Sequence, residues 1–174
     1  MFTITLLVTG CQARITFSTS TQSKVPTGNK TAEGLSQDAL VELGKLIDGE
    51  KARTMADQVA KYLCGENQEL LYEMMEKAFR DSIPNEQFSK TMQGLFSVYG
   101  KPITADYKQV EYGKKFTSGS WKPLHTYWYA VQTSKHPKGT HFLIVQIILE
   151  EKELAVSSMQ IVTFPLGKIP PMLQ

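Results

Sequence analysis

Between Tyr99 and Ile103 the spacing of apolar residues changes from one in about 3.6 to one in about 2, so helices come first in this chain and strands follow. Upstream, four stretches carry apolar residues at helical spacing. Ser36 to Ile47 places Leu40, Leu43, Leu46 and Ile47 on one face, with Ser36 as cap and Asp48-Gly49 as stop. A second helix is expected from about Lys51 to Cys64, through Met55, Val59, Tyr62 and Leu63, with Gly65 as a left-handed C-cap. A third covers Gln68 to Arg80, with Leu70, Leu71, Met74, Met75, Ala78 and Phe79. Ser82 and Pro84 then open a fourth, which carries Phe88, Met92, Leu95, Phe96 and Tyr99 and is stopped by Gly100 and Pro102.

Downstream the pattern is that of strands. Ile103–Tyr112 alternates moderately, Gly113–Pro123 reads as a long turn, and Leu124–Thr133 is a strong strand. Ser134–Gly139 reads as a hairpin loop. Thr140–Leu149 is nearly all apolar, as in a central strand covered on both faces. Glu150–Glu153 is a polar turn, and Leu154–Phe164 alternates again. Connections this short make an antiparallel meander. The expected class is α+β, with N-terminal helices packed on one face of a four-stranded antiparallel sheet.

The chain has 174 residues, 41% hydrophobic and 21% charged, which suits one globular domain. A net charge of +2 argues against binding a phosphate backbone. The lysines also divide between two loops expected at opposite ends of the sheet, Lys114, Lys115 and Lys122 in one and Lys135 and Lys138 in the other. Nucleic acid is therefore not an expected partner. The ending, Pro165 to Pro171, reads as an extended tail over 165–174.

The start is an uncharged run, Met1 to Gly10, closed by Cys11. Phe2–Val8 falls well short of the about 20 apolar residues that span a bilayer, and fits the about 7–15 of a secretory signal. Leu7-Val-Thr-Gly-Cys11 resembles the lipobox of bacterial lipoproteins. The resemblance implies a signal peptide over 1–10, lipid on Cys11, and an extracytoplasmic place in a bacterial cell envelope; Gln12, where an Asp resembles an inner-membrane retention signal in some bacteria, leaves the outer membrane open. The first positive charge is Arg14, where a signal normally opens with Lys or Arg; a start upstream of Met1 accounts for that. Residues 11–35 are polar after the cysteine and read as a tether about 25–30 Å long, with a short strand allowed at Arg14–Phe17. The competing reading is an ordinary N-terminal strand with a buried cysteine; the polar spacer favours the lipobox. With Cys11 acylated, Cys64 has no disulfide partner.

The domain, 36–164, also resembles a family. Ala56 to Met75, with its Gly65 break, and Phe88 to Pro102, with its Gly100 stop, are similar to the nuclear-transport-factor-2-like (cystatin-like) superfamily, and to small bacterial families of unknown function within it. The likeness covers about Met55 to Phe164. It implies helices wrapped into the concave side of a strongly bent sheet, and a pocket there. It implies no particular chemistry, because such folds host enzymes and non-enzymes alike.

Candidate chemistry is sparse. His125 and His141 fall near opposite ends of the two middle strands, with His141 pairing near Gln132 and His125 near Ile148, too far apart to share a metal. No metal or other cofactor is expected. Tyr127 and Tyr129 share one strand face, and Gln146 is a polar residue in an apolar strand. Together with His125 they are the candidate lining of a ligand pocket; plain core packing is the alternative. Cys64, at a helix C-terminus, reads as a structural thiol. The expected function is that of a non-enzymatic, lipid-anchored domain that binds a small ligand or a protein. Two rivals stand beside it. One is an enzyme with a polar pocket of Asp106, Tyr107, His125 and a tyrosine. The other is an immunity or inhibitor protein that meets one partner through an edge strand.

Overall fold

A computed structural model describes residues 5–9, 12–16, 45–117, 120–136, 141–150 and 152–164. The elements run β1 (Thr5–Thr9), β2 (Gln12–Thr16), α1 (Gly49–Cys64), α2 (Gln68–Glu73), α3 (Lys77–Ser82), α4 (Asn85–Tyr99), β3 (Pro102–Thr117), β4 (Ser120–Thr133), β5 (His141–Glu150) and β6 (Glu153–Thr163). Helices precede an antiparallel meander of four strands, β3 to β6, as the change of period requires. The sheet is larger than expected. Its order is β1-β2-β6-β5-β4-β3, because the β1–β2 hairpin joins through Ile15–Ile161 and Thr16–Gln160. The stretch expected as a tether opens with β2, overlapping the short strand allowed at Arg14–Phe17; Cys11 itself, residues 17–44 and the 165–174 tail lie outside the described residues.

The helices pack on one face. Ala52, Ala56, Val59 and Leu63 of α1 and Phe88, Met92, Leu95 and Tyr99 of α4 join a core with Tyr127, Tyr129, Leu143, Val145, Ile147 and Met159 of the sheet. Side chains alternate along a strand, so Leu124, Trp128, Phe142, Ile144 and Ile148 point the other way. Phe142 and Ile148 are buried there too, as the unbroken apolar run of β5 demands.

Of four local expectations, one falls mostly outside the described residues and three need correction. Most of the helix expected at Ser36–Ile47 lies outside the described residues; its end, Lys45–Ile47, is a turn, and Asp48 caps α1 by accepting from Lys51 N at 3.1 Å. Gly65 has φ −82°, and the left-handed residue is Glu66 at φ 55°. The helix expected over Gln68–Arg80 is broken into α2 and α3. At the break Met74 O accepts from Val156 N at 2.9 Å, and Glu76 N donates to Val156 O at 2.8 Å. β2 pairs with β6 only at Gln160 and Ile161, so the edge of β6 at Val156 needs other partners, and the helix opens to supply them.

The last correction lies at Gly113–Pro123, which is a continuation of β3 and β4. Pro123 is tolerated because pairing of β4 with β5 ends at Leu124–Ile148. The β3–β4 ladder therefore runs on as an arm beyond β5, from Gly113–Leu124 to Thr117–Ser120. This arm measures the bend of the sheet. Three strands separate β3 from the Met74–Glu76 segment, about 19 Å across a flat sheet, yet Lys115 Nζ lies 3.3 Å from Glu76 Oε1 and 3.1 Å from Ser157 O.

Candidate functional site

The tyrosines of β4 meet α1 in a polar strip. Arg53 and Asp57 stand one turn apart on α1, and the Arg53 Nε donates to both carboxylate oxygens at 2.9 and 3.0 Å. Tyr129, 1% exposed, donates its hydroxyl to Asp57 Oδ1 at 2.7 Å. The Arg53 guanidinium lies flat on Tyr107, 3.3 Å from the ring centroid, and Tyr107 meets Tyr129 edge-on at 5.9 Å. Tyr127, 2% exposed, donates to Gly49 O at 3.4 Å and lies 3.1 Å from His125 Nδ1. His125 is 2% exposed and stacks edge-on against Tyr112 at 4.8 Å.

Burial pushes Tyr127 up to about 12. Tyr129 also rises, first by burial and then by its bond to the Asp57 carboxylate. Both phenols are therefore held neutral at ordinary pH. Chemically, the strip clamps α1 to the sheet, and its polar tips are matched among themselves.

The four candidate lining residues are not gathered in one place. Tyr127, Tyr129 and His125 lie on the helix side. Gln146 pairs with Thr126 and Ser158 and belongs to the opposite face, in a polar row across β4, β5 and β6. Asp106 alternates away from Tyr107 and is exposed, so the rival polar pocket is not assembled. His141 pairs with Val131 and His125 with Ile147, one position from the expected register, which leaves the two imidazoles about 20 Å apart along the strand. His136 instead comes to 4.7 Å from His141, ring centre to ring centre, while His141 Nδ1 and Thr163 Oγ1 are 2.7 Å apart. Burial, then His136, lowers the His141 pKa. Among the described residues no cluster of three or more metal-ligating side chains occurs. Cys64 is a half-buried free thiol whose pKa is raised, by burial first and Asp106 second.

A cavity of about 600 Å³ lies elsewhere, where the α2–α3 break meets the β5–β6 turn. Met55, Met74, Met75 and Leu154 give it apolar walls; Glu73, Lys77, Arg80, Glu150 and Glu153 give it charges of both signs. None of Tyr127, Tyr129, Gln146 or His125 lines it. A second hollow of about 460 Å³ shares Met55, Gln58 and Leu154 and continues the depression along α1 towards Asp48. The sequence pattern missed this place because it made Gln68–Arg80 one helix. The signal available was a Met-Met pair flanked by charges, Glu73-Met-Met-Glu-Lys77.

Among the described residues no helix is long and apolar enough to cross a membrane. No family model matches the chain, and neither the curated proteins nor the solved structures contain a significant match to it.

Proposed function

We propose that this chain is a binding domain held at a bacterial envelope membrane by lipid on Cys11, with its ligand seat in the cavity at the α2–α3 break. The Leu7–Cys11 run is what supports the anchor, and one contrast supports the seat. The titratable groups of the aromatic strip are engaged with one another, whereas the methionine-walled cavity stands open with unlike charges at its rim. Methionine walls adapt to irregular apolar shapes, and a rim of both signs suits an amphipathic small molecule with a polar head. The helices-then-meander order and the bend measured by Lys115 support a nuclear-transport-factor-2-like fold. A cut before Cys11 would remove β1 and leave β2 on β6, so the domain would sit close to the bilayer rather than at the end of a long tether.

Native mass spectrometry of protein isolated from envelope extract tests the seat. The wild type is expected to carry a small-molecule adduct, and Met74→Trp, which fills the cavity, is expected to lose it. An adduct retained in full by a folded Met74→Trp protein would place the ligand elsewhere.

One observation favours a second reading, a protein partner met by strand addition. β3 is a sheet edge of 16 residues with Ile103 and Phe116 more than half exposed.

A further inference from the structure

The arm formed by the far halves of β3 and β4 comes down on a buried carboxyl, that of Glu76. Glu76 is 1% exposed, and among the described residues its Oε2 has no hydrogen-bond partner. Its Oε1 meets Lys115 of β3 at 3.3 Å, and the same ammonium donates to Ser157 O of β6 at 3.1 Å. Lys122 of β4, paired with Lys115 in the ladder, lies 4.0 Å from Glu150 of β5, which also accepts from the Lys77 backbone N of α3 at 3.1 Å. Two glutamates and two lysines, from β3, β4, β5 and the α2–α3 break, thus form two neighbouring pairs. The tip beyond it carries an exposed cross-strand pair, Phe116 and Trp121, 55% and 56% exposed with ring centroids 5.4 Å apart.

An ionised carboxylate with one buried oxygen unbonded is poorly solvated, and a single lysine at 3.3 Å does not replace the water it has lost. Lifting the arm would return that water. We propose that Glu76 is a proton-controlled clasp on the β3–β4 arm: the arm is held down while the carboxyl carries a proton and lifts when it is ionised. Burial raises the Glu76 pKa despite Lys115, with Glu150 adding to the rise and Lys122 opposing it. The sign follows. The closed state binds the proton more tightly than the open, hydrated state, so closure is favoured at low pH. It weakens as pH rises from the ordinary carboxylate value of 4.5 through the raised value of the closed state. The device shares Lys77 and Glu150 with the lining of the proposed ligand seat but requires no ligand there.

Hydrogen exchange of the Val110–Leu124 segment, corrected for intrinsic rates, reads the arm directly. In the wild type its opening should grow about tenfold per pH unit across that window. Glu76→Gln, which mimics the protonated form, should remove the pH dependence and keep the arm at least as protected as wild type. Lys115→Gln leaves Glu76 without its counter-charge and should extend the pH-dependent region upward. An arm that opens more in a folded Glu76→Gln protein than in wild type, or a Lys115→Gln pH profile identical to wild type, would overturn the clasp.

Discussion

Tyr127 and Tyr129 differ from surface tyrosines in one respect that can be titrated. Each holds its proton in the fold past the point where the unfolded chain releases it, Tyr127 to about 12 against an ordinary 10. Between those values the unfolded state binds fewer protons than the folded state, so stability falls as pH rises. Urea unfolding across pH 10 to 12 should show this loss, with a shallower slope in Tyr127→Phe. Equal slopes would mean that Tyr127 is hydrated. At this scale the sequence was half legible. Alternation put Tyr127 and Tyr129 on one face, as found, and set Gln146 apart only once the ladder was fixed. The partners Arg53 and Asp57 were visible as a four-residue spacing on α1, but nothing local says that Asp57 accepts from a tyrosine 72 residues away.

At the scale of elements, ends matter more than middles. Gly100 follows α4 at φ 84°, and a Cβ there would lie 2.7 Å from Lys135 N. The close approach is fixed by Thr133 Oγ1 on Tyr99 O at 2.6 Å and Ser134 N on Lys101 O at 2.8 Å. Gly94, inside the same helix, has no atom within 4 Å of the equivalent position. Gly94→Ala should therefore stabilise by about 0.5–1 kcal/mol. Gly100→Ala should destabilise by about 1–3 kcal/mol. Thermal unfolding of the two variants checks both signs, and a tolerated Gly100→Ala would contradict the described helix end. The stop at Gly100 was legible because glycine is the residue that such a turn selects. The break between α2 and α3 was not, because Leu70, Leu71, Met74, Met75, Ala78 and Phe79 fit an unbroken helix; the edge of β6 that opens it lies 80 residues on. Tyr72 marks how the broken piece is finished, its hydroxyl donating to Arg80 O at 3.0 Å and Ile83 O at 2.7 Å.

For the whole molecule, two regions divide the work. The strip of Arg53, Asp57, Tyr107 and Tyr129 fixes α1 to the sheet, and the methionine cavity beside the β5–β6 turn is the proposed seat for a ligand. From α1 onward the α+β order was legible from periodicity alone, because helix and strand patterns do not mix after Gly49; the β1–β2 hairpin ahead of it was not. The bend was not, because it depends on how far an arm can reach across its own sheet. Where the domain is held is the central proposal, and the intact mass of the mature protein isolated from its native envelope tests it most directly. A lipid-anchored domain gives a chain beginning at Cys11 with the added mass of acyl groups. A chain that retains Met1 with an unmodified Cys11 would contradict it.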